Sequence, residues 1–249
     1  MVFLRGFYRK AFIVLLVVTF LCFSLFYKKI SNLSSSGKTT QLHRLAVVVP
    51  YRNRPYELEE FIPHMTNFLT SQNIDHKIFI VNQTDKYRFN RAVLINIGYI
   101  ISKKEGFDYM AMHDVDLLPV DPRLSYKFPL NGAFHLSSPS LHPLYHYDSF
   151  VGGIFIISHK NFERINGMSN RYWGWGLEDD EFYTRLRRAN ITIARPTFNS
   201  TTAFKHVHDK KKHKRDYREK IPSLLKVDRK TGLSSISSDG EEGISIFMS

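Results

Sequence analysis

Residues 109–118 read Tyr-Met-Ala-Met-His-Asp-Val-Asp-Leu-Leu, a short apolar run that ends abruptly at Asp114 and Asp116. Side chains two positions apart on an extended chain point the same way. A strand that ends here would therefore aim both carboxylates into the crevice where open α/β sheets bind ligands. Like charges this close are costly unless a cation or sugar hydroxyls lie between them, and such oxygen ligands suit Mg²⁺ or Mn²⁺. The alternative is a solvated Asp-x-Asp turn.

Apolar runs on both sides of this stretch predict an α/β fold. The continuous apolar run at 45–49, which ends at Pro50, is typical of a strand buried on both faces. Further strands are predicted at 77–81 and 108–112. Between them, apolar residues recur at helical spacing, and Pro63 should kink or delay the first helix. A further strand is predicted at 154–158, and further helices at 159–166 and 178–189. The alternation of strand and helix indicates a parallel sheet over the first half of the chain.

The N-terminal residues predict a membrane anchor. Residues 11–27 carry no charged side chain. The length of this run is at the short end of the range for a helix that spans a bilayer. A cleaved signal peptide is the alternative, but no cleavage site follows. The slight excess of basic residues before the span places the N-terminus in the cytosol. The predicted organisation is a cytoplasmic tail at 1–10, a signal-anchor helix at 11–27, a stem at 28–43, a lumenal domain at 44–233 and a divergent tail at 234–249, either disordered or a small hairpin.

Charge and cysteine usage narrow the partners. The net charge is +12, and the single cysteine, Cys22, lies inside the predicted span, so the lumenal part has no disulfide. Basic residues concentrate at 185–188 and 210–215. A strongly positive net charge usually indicates binding to nucleic acid, but a protein in the secretory lumen is rarely exposed to nucleic acid. Nucleotide diphosphates, acidic polysaccharides or acidic proteins are better candidates, and a solvated basic face without a partner stays open.

Two further segments carry chemistry. Residues 172–181 read Tyr-Trp-Gly-Trp-Gly-Leu-Glu-Asp-Asp-Glu. The tryptophans offer flat apolar faces of the kind that stack on sugar rings, and the acids would lie in the first turn of a helix, where carboxylates are favoured. Helix capping alone would explain the acids but not the tryptophans. His206-Val207-His208 puts two imidazoles on one face of an extended segment, and imidazole suits Mn²⁺ or Zn²⁺; alone, that pair is a weak signal.

These segments occur in an order that resembles the β-1,4-galactosyltransferases, Golgi enzymes with the GT-A fold. The resemblance rests on Pro50-Tyr51-Arg52-Asn53-Arg54, Phe89-Asn90-Arg91, Asp114-Val115-Asp116, Gly152-Gly153, the 173–180 segment and His206-Val207-His208, and covers about residues 44–233. Within the family, Leu144-Tyr145-His146-Tyr147, the second histidine at 208 and the missing lumenal cysteines resemble the xylosylprotein branch. The resemblance implies a GT-A-type α/β fold, with a mixed, mostly parallel sheet flanked by helices.

The resemblance also implies roles for individual residues. Mn²⁺ would be held by Asp116, His206 and His208, and Asp179 would be the catalytic base. The UDP-galactose donor would be bound by Pro50, Tyr51, Arg52, Asn53, Arg54, Phe89, Asn90, Arg91, Asp114, Val115, Trp175, Glu178 and Arg215. The acceptor would be bound by Tyr145, Tyr147, Trp175, Gly176, Asp179 and Asp180.

The implied function is inverting transfer of galactose from UDP-galactose to the 4-hydroxyl of xylose on proteoglycan core proteins. The enzyme would be a single-pass type II Golgi membrane protein with a lumenal catalytic domain and no nucleic-acid partner. Three alternatives stay open. The chain acts on another acceptor such as N-acetylglucosamine, or it is a non-catalytic homologue that binds nucleotide sugars without turnover. The third alternative is a basic, membrane-tethered interaction protein, which would show no metal dependence.

Overall fold

The computed structural model describes residues 43–208, 216, 228–236 and 243–249. The predicted cytoplasmic tail, membrane span and most of the stem fall outside these residues, as does Arg215. None of the helices in the described ranges is long and apolar enough to cross a bilayer. The compact unit that holds the fold runs from His43 to Ser249.

Strands and helices alternate along the first part of this unit. The strands are β1 (Leu45–Tyr51), β2 (His76–Gln83), β3 (Tyr109–His113), β4 (Leu117–Pro119), β5 (Ala133–His135), β6 (Ile154–Ser158), β7 (Ile193–Ala194), β8 (Phe204–His206) and β9 (Ile244–Met248). The helices are α1 (Pro55–Ser71), α2 (Arg91–Lys104), α3 (His159–Arg164) and α4 (Glu178–Arg188).

Seven of these strands form one mixed sheet in the order β7-β5-β6-β3-β1-β2-β9. At its centre β1 pairs in parallel with both β2 and β3. Strands β6 and β9 pair antiparallel with β3 and β2. Strands β4 and β8 form a separate antiparallel pair. The predicted α/β fold with a mixed sheet and flanking helices is confirmed.

The central strand shows why both faces of this sheet are covered. Every residue from Leu45 to Pro50 is buried. Alternate side chains of a strand point to opposite faces, so Ala46 and Val48 join one apolar cluster with α2 and α4, while Val47 and Val49 join another with α1. A strand buried on both faces has no polar positions, which is the continuous apolar run seen in the sequence.

Several predicted boundaries differ from the structure. Helix α1 begins at Pro55, eight positions before Pro63, so Pro63 does not delay it. Proline is tolerated at Pro55 because the first helical N–H needs no partner. The predicted tail at 234–249 contains β9, which pairs with β2 from Phe79 to Gln83. The fold therefore does not end at residue 233, because the main sheet takes its last strand from beyond that position.

Candidate active site

A cavity of about 660 Å³ lies where β1 and β3 end, within the size range of small-molecule sites. Most of the predicted site residues line it. They are Pro50, Arg52, Asn53, Arg54, Phe89, Arg91, Asp114, Val115, Asp116, Tyr145, Tyr147, Trp175, Gly176, Glu178, Asp179, Asp180, His206 and His208. The structure thus brings together side chains from segments far apart in the sequence, while their individual roles stay predictions.

Two predicted donor residues, Tyr51 and Asn90, do not line the cavity. The hydroxyl of Tyr51 accepts a hydrogen bond from the backbone N–H of Arg54 at 3.1 Å. The side chain of Asn90 caps α2 by accepting from the N–H of Val93 at 3.1 Å. Both side chains therefore fix the backbone next to a cavity-lining arginine.

Arg91 lies at the centre of an acidic cluster. Its Nε donates to Oδ1 of Asp114 at 2.9 Å, and its Nη1 donates to Oδ1 of Asp179 at 3.0 Å. The guanidinium is buried, which disfavours its charge, but the carboxylates of Asp114, Asp179 and Glu178 outweigh this and raise its pKa. A planar guanidinium that bonds two carboxylates holds both in a defined orientation. Arg91 thus orients the carboxylate of the predicted base.

The carboxyl groups of this cluster outnumber its central cation, Arg91, and their pKa values reflect this. Burial raises the pKa of Asp114 to about 6, against the opposing effect of Arg91. Burial and the neighbouring Asp179 raise the pKa of Glu178 to about 8. The Oε2 atom of Glu178 is buried and has no hydrogen-bond partner among the described residues. Because a buried polar atom without a partner is costly, this atom fits a role in contacting polar groups of a ligand.

The acids at 178–181 occupy the first turn of α4, as predicted, with Phe182 and Leu186 buried beneath them. Leu177, the residue before the helix, has a φ of 74°. A positive φ is unusual for leucine and stores backbone strain. The strained residue lines the cavity immediately before Glu178. The turn before the acids therefore contains a backbone conformation that is unfavourable for Leu177.

Asp114 and Asp116 lie in a turn and not on an extended strand. Strand β3 ends at His113, and the N–H of Leu117 donates to the carbonyl of Asp114 at 3.3 Å. The expectation of two carboxylates aligned by strand geometry is therefore wrong in detail. Both still line the cavity, but with different partners, because Asp114 contacts Arg91 whereas Asp116 contacts His208.

The separate pair of strands brings the predicted metal ligands together. Strand β8 pairs with β4 so that His206 lies opposite Leu117, and the N–H of Val207 donates to the carbonyl of Asp116 at 2.8 Å. His208 Nδ1 lies 3.0 Å from Oδ2 of Asp116. The two imidazole rings lie 5.7 Å apart and nearly parallel. Burial would raise the pKa of Asp116, but the hydrogen bond from His208 and the nearby cations lower it.

The donor set fits Mn²⁺ in its chemistry, since one carboxylate and two imidazoles suit such a metal. Across the described ranges, however, no three His, Cys, Asp or Glu side chains are arranged as they stand to hold a metal ion. Arg54 lies between two of the predicted ligands, with its Nη1 3.1 Å from His208 Nδ1 and 3.7 Å from Asp116 Oδ2. A metal held by the three predicted ligands would have to replace the bond between His208 and Asp116.

An aromatic wall lies beside the predicted base. Phe150 is buried at its centre, and the ring centroids of Tyr145 and Tyr147 lie 5.0 and 5.5 Å from it. Trp175 lines the same cavity and is 42% exposed. Exposed aromatic faces next to carboxylates are what a sugar needs, because its ring has an apolar face and polar edges. This is the arrangement predicted for the acceptor.

The other side of the cavity combines an arginine with an aromatic ring. Arg52 donates from Nη1 to the carbonyl of Tyr87 at 2.7 Å and from Nη2 to Asp85 at 3.1 Å. Its guanidinium carbon lies 5.8 Å from the ring centroid of Phe89. A flat cation and a flat ring fixed next to each other suit a nucleotide base and its phosphates.

Comparison with known proteins gives the family. A model described as the N-terminal region of glycosyl transferase group 7 matches residues 31–129, and one described as the N-terminal domain of galactosyltransferase matches residues 132–211. The chain is also similar to a crystal structure of a mutant Drosophila β-1,4-galactosyltransferase 7 in complex with manganese, UDP-Gal and xylobiose. That match has a TM-score of 0.75 and 47% identity, and covers 78% of this chain and 84% of that one.

The chain belongs to the β-1,4-galactosyltransferase family.

Two curated relatives share about half of their aligned residues with this chain. Human β-1,4-galactosyltransferase 7 is 50% identical over 199 residues, which are 78% of this chain and 61% of the relative. Xylosylprotein 4-beta-galactosyltransferase of Caenorhabditis elegans is 51% identical over 185 residues, covering 73% of this chain and 64% of the relative. This chain thus spans about three fifths of the length of these relatives.

Some residues that line the cavity were not among the predicted site residues. They are Leu117, His142, Phe150, Gly153, Gly174, Leu177 and Asp216. Asp216 pairs with Arg88 through two hydrogen bonds of 2.6 and 2.8 Å, and its carbonyl accepts from the N–H of Trp175 at 2.8 Å. No local sequence pattern signals this contact, because its partners lie about 40 and 130 positions away in the chain.

The predictions for two side chains, Trp173 and Arg185, need correction. Trp173 does not line the cavity but packs edge-on against Tyr87, with centroids 5.9 Å apart. Arg185, part of the basic run expected to face ligands or solvent, is buried and donates to Glu181 at 2.8 Å. It also donates to the carbonyls of Asn166 and Asp228. Its charge is used inside the fold.

Proposed function

We propose that this protein transfers galactose from UDP-galactose to the 4-hydroxyl of xylose, with inversion at the galactose anomeric carbon. The observation that carries the proposal is the placement of Asp179, which Arg91 holds at 3.0 Å beside the aromatic wall of Tyr145, Tyr147 and Phe150. The names of the curated relatives and the xylobiose and UDP-Gal bound to the Drosophila protein support the same donor and acceptor.

The chain's own residues supply the steps. Asp179 takes the proton from the xylose 4-hydroxyl as that oxygen attacks the galactose anomeric carbon, and the bond from this carbon to the diphosphate oxygen of UDP breaks. Arg91 keeps the carboxylate of Asp179 in a fixed orientation during the attack. Asp116, His206 and His208 would hold Mn²⁺, which supplies positive charge to the leaving diphosphate. Manganese in the Drosophila complex supports this choice of metal.

The aromatic wall favours xylose over hexoses. Xylose lacks the hydroxymethyl group at C6, so a closely walled pocket accepts it and rejects larger sugars by overpacking. Tyr147 and Trp175 are 46% and 42% exposed, so both side chains are accessible from the cavity that they line. We therefore propose xylosylated proteoglycan core proteins as acceptors, in glycosaminoglycan linker synthesis.

The place of action is part of the proposal. The uncharged run at 11–27, with basic residues before it, supports a signal anchor and a type II orientation. The catalytic domain would lie in the Golgi lumen, where nucleotide sugars are the substrates. Fluorescence microscopy of the tagged chain against Golgi and endoplasmic reticulum markers tests this, and a cytosolic distribution would contradict it.

The function is tested by assaying the full chain with UDP-galactose, Mn²⁺ and a panel of β-xylosides and β-N-acetylglucosaminides. Galactose should pass to the xylosides, and chelation of the metal should abolish transfer. Preference for N-acetylglucosaminides would overturn the acceptor assignment but leave galactosyl transfer. Metal-dependent UDP binding without transfer to any acceptor would identify a non-catalytic homologue.

The role of Asp179 is tested by Asp179→Asn. The amide keeps the shape of the side chain but cannot accept the proton, so kcat should fall by about 10²-fold or more. UDP affinity, measured by calorimetry, should stay unchanged because the amide oxygen can still accept the hydrogen bond from Arg91, which Asp179 accepts at 3.0 Å. Near-normal turnover in the variant would remove Asp179 from the mechanism.

A further inference from the structure

His142 organises the loop that carries the aromatic wall. Its side chain is 5% exposed and lines the cavity. The Nδ1 atom accepts hydrogen bonds from the backbone N–H groups of Leu144 at 3.0 Å and Tyr145 at 3.1 Å. Asn and Asp side chains make the same bonds to N–H groups two and three positions onward when they cap turns and helices. The imidazole thus acts as the cap of this turn.

The same ring also packs against the aromatic wall. Its centroid lies 4.9 Å from that of Tyr145 and 4.9 Å from that of Phe150. The backbone of His142 is also held in place, because its N–H donates to the carbonyl of Ser138 at 2.8 Å. His142 therefore holds the backbone at Leu144 and Tyr145 through two hydrogen bonds and the ring of Tyr145 through a ring contact.

The hydrogen bonds define the state of the imidazole. An Nδ1 atom that accepts from two N–H groups carries no proton, so the proton of the neutral ring lies on Nε2. Burial lowers the pKa of His142 to about 4, which agrees with a ring that stays neutral and keeps accepting. An acceptor atom at this position, and not a positive charge, is what the turn requires.

We propose that His142 is a positioning residue for the sugar acceptor, which sets the orientation of Tyr145 and so the fit of the pocket to xylose. The inference rests on the proposed function, because it assigns Tyr145 to the acceptor. Replacing the side chain by a methyl group would release two backbone N–H groups and two ring contacts. The turn would then open, and the acceptor would bind a wall that is no longer fixed.

Three variants of the full chain test this proposal. His142→Ala removes the acceptor atom, and His142→Asn restores one, because a carboxamide oxygen caps turns in the same way. His76→Ala is the matched control. His76 starts β2 at the end of the sheet away from the cavity, and its Nδ1 bonds the carbonyl of Ile74 at 2.8 Å.

The expected result is a separation of acceptor from donor effects. His142→Ala should raise the KM for a β-xyloside by about tenfold, the equivalent of one or two lost hydrogen bonds. Calorimetric UDP affinity in the presence of Mn²⁺ should not change. His142→Asn should recover most of the KM, and His76→Ala should match the unmutated chain. An unchanged KM in His142→Ala, or equal loss of UDP affinity and acceptor binding in both His142 variants, would overturn the proposal.

Amide hydrogen exchange gives a readout that does not depend on activity. The N–H groups of Leu144 and Tyr145 should exchange faster in His142→Ala and stay protected in His142→Asn. Unchanged protection in His142→Ala would overturn the capping role. If the unmutated chain transfers galactose to no xyloside, the proposed function fails and the acceptor role of His142 fails with it. The exchange data would still decide whether His142 holds the turn.

Discussion

At the scale of single residues, Gly152 sets how closely the predicted base approaches the aromatic wall. A Cβ atom at this position would lie 2.4 Å from Oδ2 of Asp179 and 2.7 Å from a ring carbon of Phe150. Both distances are far below van der Waals contact. Only glycine at position 152 therefore lets the Asp179 carboxylate and the Phe150 ring lie this close to the backbone that precedes β6.

Gly152→Ala should reduce kcat with UDP-galactose and xyloside by about 10²-fold, because displacing a reacting group by 1 Å has consequences on that scale. Gly98→Ala is the control, since a Cβ there would meet only the side chains of Val48 and Val81 in the core. That variant should lower the melting temperature and leave kcat unchanged. Normal turnover in Gly152→Ala would mean that Asp179 does not act from the position seen.

Glu178 links stability to pH. Burial raises its pKa to about 8 in the folded protein, from an ordinary 4.5. The folded state thus keeps a proton that the unfolded state releases, so the free energy of unfolding falls as pH rises from about 4.5 to about 8. Glu178→Gln removes this dependence, because the amide does not titrate.

The stability advantage of Glu178→Gln over the unmutated chain should therefore grow with pH up to about 8 and stay constant above it. Urea denaturation at a series of pH values measures the difference. Glu59→Gln, on the exposed side of α1, is the matched substitution and serves as the reference. An offset for Glu178→Gln that varies with pH no more than that of Glu59→Gln would contradict the raised pKa.

At the scale of elements, α4 is fixed by a buried network around Arg185. The guanidinium donates to Glu181 on the same helix and to the carbonyls of Gly167, Asp228 and Thr231. It therefore ties the helix that carries Glu178 and Asp179 to two other segments. The position of the acids depends on a residue two turns further along the helix.

Arg185→Met should lower the free energy of unfolding by about 3–5 kcal/mol, since it leaves the buried Glu181 without its cation. Arg187→Met, on the exposed face of the same helix, should change it by less than about 0.5 kcal/mol. Urea denaturation of both variants makes the comparison. Equal effects would show that the buried network adds no stability beyond that of a surface arginine.

At the scale of the whole molecule, β9 completes the main sheet. Its five residues pair with β2, and Ile78 exchanges two backbone hydrogen bonds with Ser249, of 2.9 and 3.1 Å. Without β9 the edge of β2 would expose unpaired N–H and C=O groups, which favours aggregation. The last residues of the chain are therefore part of the fold that supports the cavity.

Deleting residues 244–249 should cost about 1 kcal/mol for each backbone hydrogen bond lost. The melting temperature should fall and light scattering of the unheated protein should rise. Phe247→Ser is the control, because this side chain is 55% exposed and contributes little to the core. A shortened chain that melts like the chain with β9 would show that β9 does not stabilise the sheet.

The long elements and most cavity-lining residues could be predicted from the sequence. Buried strands such as β1 leave a continuous apolar run, and helices such as α2 leave a period near 3.6, so local order is enough. Asp114, Asp179 and His206 stood out because acids and imidazoles at the ends of apolar runs are chemically conspicuous. Their order along the chain then identified the family, which the comparisons confirm.

Only the tertiary structure decided how these groups meet. Strands β4 and β8 have three residues each, too few to show any period, yet their pairing places His206 next to Asp116. The buried Arg185 resembled a surface charge, and His142 resembled any loop histidine, because both act through contacts with residues that sequence spacing does not reveal. Local patterns determine which segments fold, whereas contacts between distant segments set the geometry of the site.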